Sequence, residues 1–231
     1  MSNEWKLDSN LPAPPPSPAL LDAVGKMKPV RTRVPILALI VVGVLSLAWG
    51  AHWLFIYPLR QDMPGLPWWW VLSMGLAWAT AFVLPLAAAI LPRRGQVLPD
   101  AGRAFAIAAI CAVLMVIAQF TLNVTVPGKT IMLEGDRVLW GIGHCLRFEL
   151  KASVVPFVLS MLALRVAVPT ATWRLGAAVG AAGGALGGGM LHLLCPLGGA
   201  SHTGFAHGGG VVVCAIAGAL LAPLVLRLLR R

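Results

Sequence analysis

The 231-residue chain is 58% hydrophobic and 11% charged, with a mean hydropathy of +0.84, whereas a soluble domain carries roughly a quarter charged residues. That balance excludes a water-soluble globular protein and places the core in lipid. The net charge of +10 would suit nucleic acid, but the basic residues gather on no single element and have a topological explanation.

Residues 1–33 read as an exposed tail ahead of a membrane domain spanning 34–231. LPAPPPSP, Leu11 to Pro18, cannot form a regular helix, because proline lacks the amide donor and clashes with the preceding turn. Next, Leu20, Leu21, Val24 and Met27 fall at helical spacing, with Asp22, Lys26 and Lys28 around the rest of the turn and Pro29 as a stop. This short amphipathic helix suits either an anionic lipid surface or a soluble partner. The first long apolar run begins only after this polar tail and has no small-residue cleavage site, so the first span is expected to remain as an anchor.

The spacing predicts an all-α protein, a bundle of six transmembrane helices. Val34 to Ile56, Trp68 to Leu91 and Ala104 to Leu122 reach, or nearly reach, the roughly 20 apolar residues a bilayer crossing needs. The fourth span, Leu146 to Val168, carries Arg147, Glu149 and Lys151 in its first turns. Leu175 to Leu226 contains no charged residue and is divided by Pro196 to Ala206 into spans five and six. Trp53, Tyr57, Trp68, Trp69 and Trp70 lie at span ends, where amphipathic rings sit at the membrane–water boundary.

With both termini inside, the inner side holds Lys6, Lys26, Lys28, Arg31, Arg33, Arg93, Arg94, Arg103, Arg165, Arg174, Arg227, Arg230 and Arg231. Arg60, Lys129, Arg137, Arg147 and Lys151 remain outside. Such an excess of inner Lys and Arg predicts an N-in, C-in topology and accounts for the net charge.

The stretch Gly176 to Gly210 changes character most steeply. Gly176, Gly180, Gly184 and Gly188 recur every four residues, so they share one helix face and let a neighbouring helix approach closely. His192 continues the row, Cys195 follows three residues later, and Pro196 ends the helix. A short loop then carries His202 and His207. In the predicted topology all five histidines lie near the outer surface, with Cys145 at the start of span four. Cys145, His192, Cys195, His202 and His207 therefore form a candidate metal site. Zinc suits such a Cys/His set, haem is the alternative cofactor, and a Cys145–Cys195 disulfide suits an oxidising compartment. A polar cap on a helix hairpin needs none of these. Cys111 and Cys214 read as small apolar packing residues.

LLDAVGKMKPVRTRVP before the first span, six spans, a cysteine opening span four and a glycine-rich fifth span ending in LHLLCP resemble the NrsF family. The resemblance is best from Cys145 to Arg231. It implies a multi-pass protein of the bacterial inner membrane with both termini cytoplasmic. It further implies a membrane-bound anti-sigma factor, whose N-terminal segment holds an extracytoplasmic-function sigma factor and which senses a periplasmic signal. CPLGGASHTGFAH departs from the family's CPE-type residues and favours a histidine-containing site. The alternative from the residues alone is a periplasm-facing redox, haem or metal-binding membrane protein.

Enzymatic readings lack support: no HExxH, Walker or GxSxG pattern is present. The carboxylates nearest the cluster, Glu134, Asp136 and Glu149, are expected outside the membrane, and no intramembrane carboxylate marks a transporter. The expected partners are the bilayer and a sigma factor, with neither direct nucleic-acid binding nor a small-molecule substrate.

Overall fold

The computed structural model describes residues 17–18, 33–93, 96, 98–165 and 171–230. Leu20, Leu21, Val24 and Met27 lie outside the described residues. Among the described residues six long helices carry the fold: α1 (Arg33–Ile56), α2 (Trp68–Ile90), α3 (Ala101–Thr121), α4 (Asp136–Leu164), α5 (Thr172–Leu194) and α6 (Ala200–Leu229). All except α4 are long and apolar enough to cross a membrane. Helix α4 runs for 29 residues and begins ten residues before the expected start of span four, at Asp136. Its first turns, DRVLWGIGH, have helical spacing too, but charge and glycine hid them from a search for apolar runs.

Helix α5 is the centre of the molecule, and its glycines explain why. Steps of four residues advance about 400° around an α-helix, so a four-spaced row drifts by roughly 40° per step. A Cβ on Gly176 or Gly180 would run into the backbone carbonyl of Gly218 or Cys214 on α6. Gly184 lies against Val211 and Cys214 of α6, but Gly188 has turned far enough to meet the indole of Trp78 on α2. Gly183 and Gly187 also let the backbone of α4 approach, at Ser153 and Glu149. The packing strip expected for one neighbour therefore serves two, α6 and α2, while Gly183 and Gly187 beside it serve α4, and α5 is buried along most of its length. In lipid this close approach replaces the hydrophobic effect, which cannot distinguish helix from solvent there.

Two layers of loop contacts define the ends. At one end, Thr130 Oγ1 donates to Asp62 Oδ2 (2.6 Å), and Asp62 accepts from Arg60 Nε (2.5 Å) and Nη2 (2.7 Å). The Trp70 indole donates to the Leu122 carbonyl (2.6 Å), and the Arg60 amide to the Leu193 carbonyl (3.0 Å). A two-residue parallel bridge, β1 (Ile131–Met132) with β2 (Leu197–Gly198), ties the α3–α4 loop to the α5–α6 loop. At the other end Asp100 caps α3 by accepting from the Arg103 amide (3.0 Å), and Phe105 meets Trp173 edge to face.

Candidate metal centre

The α5–α6 connection does not stay a loop as far as Ala206. Helix α6 begins at Ala200, and Thr203–Gly208 forms a π-helical turn in which the Gly209 amide bonds back to the Gly204 carbonyl. That turn has a chemical consequence. Residues five apart lie about 140° apart on an α-helix, whereas a π turn, bonding i to i+5, adds a residue per turn and brings them round to one side. His202 and His207 are five apart, and their rings meet edge to face with centroids 5.4 Å apart. Glycine makes the turn possible, because Gly204 and Gly208 rest directly on the Phe120 ring and the Val116 backbone of α3.

Cys145 on α4, Cys195 just after α5, and both histidines of α6 converge there. Ligating atoms of Cys145, Cys195, His202 and His207 all lie within 4.8 Å of one another, and all four residues are buried. Cys145 Sγ and Cys195 Sγ are 3.8 Å apart, and His202 Nε2 is 3.7 Å from each. Donors at zinc distances of ~2.3 Å for sulfur and ~2.0–2.1 Å for nitrogen mark tetrahedral edges of about 3.8 Å (S···S) and about 3.6 Å (S···N). The residues fit a tetrahedral thiophilic ion. All four cysteines are free, so the two sulfurs are adjacent without being bonded. The Cys195 thiol is drawn below the ordinary range by its hydrogen bond with Cys145; burial opposes this, and contacts with His202 and His207 reinforce it. The thiolate is the form that ligates a metal, so a lowered Cys195 thiol favours ligation.

Gly141, one turn before Cys145, sits beneath the His202 ring: a Cβ there would lie 3.3 Å from His202 Nδ1 and would collide with Leu133. The remaining histidines stand apart. His192 packs on the Trp70 ring at 4.8 Å, while His52 and His144 stack on Trp49 and Trp140. Among the described residues His192 does not join the four-residue group.

The family model for NrsF, negative regulator of sigma F, matches residues 21–228. The chain belongs to the NrsF family. No curated protein and no solved structure matches it. The NrsF family is regulatory rather than enzymatic, which agrees with the lack of catalytic motifs.

One residue of this NrsF protein corrects the sequence reading. Glu149, placed among the outer carboxylates, is fully buried between α4, α5 and α6, and neither carboxylate oxygen has a hydrogen-bond partner among the described residues. Gly187 and Gly210 leave the slot that it fills. It follows Cys145 by one helical turn, so the same face of α4 carries both. Its neighbours Arg147 and Lys151 made the segment look solvated, yet i and i+4 spacing from Cys145 was the available signal.

Proposed function

We propose that this protein is a membrane-bound anti-sigma factor in which the Cys145–Cys195–His202–His207 cluster receives the signal. In this reading both termini are cytoplasmic and the cluster end faces the periplasm of a bacterial inner membrane, as the distribution of Lys and Arg favours. Leu20, Leu21, Val24 and Met27 hold an extracytoplasmic-function sigma factor until the cluster binds a thiophilic cation such as zinc. Four convergent soft and imidazole donors carry this reading. The ion would cross-link α4, the end of α5 and the start of α6.

A chain of ring contacts leads from the cluster to α1. Phe148, packed beside Cys145 and Cys195, meets Trp53 edge to face at 5.2 Å and Tyr57 at 6.1 Å. Trp53 lies on α1, the first helix after the tail in sequence. Movement of α4 at Cys145 is therefore felt by α1 through aromatic contact.

The test uses the full-length chain. Leu21→Asp should release the co-purifying sigma factor and raise transcription of its genes while the protein stays in the membrane. Burying one leucine contributes about 1.5–3 kcal/mol, so a loss of affinity of at least about tenfold is expected. Retention of the sigma factor, with weaker tail binding to liposomes, would instead make the segment a lipid-binding helix. Purified wild type should take up about one equivalent of added zinc and give up the sigma factor as it does so. Absence of metal with alkylation of Cys145 and Cys195 only after reduction would assign a disulfide instead, and a haem absorption band would assign the redox alternative.

A further inference from the structure

A second feature opens beside the cluster. A half-open cleft of about 420 Å³ lies between the α1–α2 loop, the α3–α4 loop, the first turns of α4 and the end of α5. Its walls include Tyr57, Trp140 and Phe148, and both Cys145 and Cys195 reach its floor. Ligand pockets of about 300–1,000 Å³ with apolar walls and a few placed polar groups are the common form of small-molecule site.

The charges within it have one sign. Arg60 and Lys129 are the lining cations beside the His144 imidazole, and among the described residues the lining contains no carboxylate. Arg60 is neutralised by Asp62, held at 2.5 Å. Lys129 is exposed and has no ion-pair partner among the described residues. The net result is one uncompensated positive charge above an aromatic trough, which repels a bare cation and attracts an anion. The rim decides how much of the occupant is apolar. Trp140 is 68% exposed and Leu139 73% exposed, so the apolar wall continues onto the outer surface of α4.

We propose that this cleft binds the anionic head and first methylenes of a single-chain amphiphile, such as a fatty acid or a lysophospholipid, drawn from the adjoining membrane leaflet. The head pairs with Lys129, and the chain lies along Trp140, Phe148 and Tyr57 before leaving over Leu139 into lipid. The ligand would form a roof over the two sulfurs, so its presence governs access to them. This holds whether or not the cluster takes a metal, since none of Lys129, Trp140 and Tyr57 is among the four ligands.

The experiment uses full-length protein in nanodiscs and palmitic acid bearing a diazirine, with the matching alcohol as the uncharged comparison. Photolabelling by the acid should saturate and map to peptides containing Leu59–Gln61 and Trp140–Phe148. It should fall at least tenfold with the alcohol and in Lys129→Glu, and severalfold in Trp140→Ala. Excess palmitate or lysophosphatidylglycerol should compete and should slow alkylation of Cys145 and Cys195. Lys129→Ala, milder than charge reversal, guards against misfolding, and bound zinc in the same samples reads the cluster independently. Labelling that does not saturate, that spreads evenly over lipid-facing helices, that is equal for acid and alcohol, or that is unchanged in Lys129→Glu overturns the proposal. Competition by benzoate but not palmitate would also overturn it, since the ligand would then come from water.

Discussion

The stem and the tip of α5 solve opposite problems. Along the stem, from Gly176 to Gly188, side chains are withdrawn so that three other helices can approach the backbone. At the tip, Cys195 and the π turn that follows put side chains back and aim them at one point. Most of the stem's close contacts run to the backbones of α6 and α4, with Gly188 set against the Trp78 ring. The tip is held by loops, a two-residue β bridge and four side chains with spare bonding capacity. The two regions are therefore built differently, and the difference can be broken in either one.

The largest effect is expected in the stem. Gly180→Ala should destabilise the protein at the upper end of the ~1–3 kcal/mol that overpacking costs, because the added methyl meets a backbone carbonyl that cannot rotate aside. Gly43→Ala on α1 is the comparison, since nothing lies within 4 Å of a Cβ there. It should be neutral or stabilising by up to about 1 kcal/mol, the ordinary helix preference for alanine over glycine. Thermal unfolding in detergent measures both. Equal effects at the two positions would mean that the α5–α6 seam is looser than described.

The stem was legible in the sequence because repetition every four residues is a geometric statement. That the row turns from one neighbour to a second follows from the 40° drift, but which neighbours they are, and that Gly183 and Gly187 meet a third, needs the fold. At the tip, spacing showed Cys195, His202 and His207 to be near one another, and it included His192 because that residue continues the glycine row. The same drift that carries Gly188 towards Trp78 carries His192 to Trp70 instead of the sulfurs. The π turn was invisible, since no sequence period announces one extra residue. Glu149 was hidden by charged neighbours, its burial depending on glycines 38 and 61 residues further on, Gly187 and Gly210.

A sharper division within the tip comes next in size. Cys195→Ala and His202→Ala should lower zinc affinity at least a hundredfold, taking bound metal from about one equivalent to background. His192→Ala should leave metal content unchanged while altering Trp70 fluorescence, its ring partner. Loss of metal in His192→Ala, or its retention in Cys195→Ala, would show that a different group of ligands meets in the folded protein.

The smallest expected effect concerns the loops that frame the tip. Asp62 is buried with Arg60 and Thr130; burial alone would raise its carboxyl, but the two side-chain hydrogen bonds and the Arg60 charge bring it below the ordinary value. Ionised Asp62 therefore favours the native loops. A group depressed on folding contributes fully above its unfolded value of about 3.9 and loses that contribution as pH falls through the folded value. Asp62→Asn should cost about 1.5 kcal/mol at neutral pH, the lower figure for hydrogen bonds to a charged group, because asparagine keeps one acceptor. Below about pH 4 the difference between wild type and variant should shrink, as the wild-type carboxyl takes up its proton and the two side chains become electrically alike. The difference in unfolding midpoint at pH 7, 5, 4 and 3 reads this directly. A difference that stays constant to the lowest pH would show that the Asp62 contribution is steric rather than ionic. A difference that grows on acidification would reverse the sign argued here and make the Arg60–Asp62 pair a cost the loops carry.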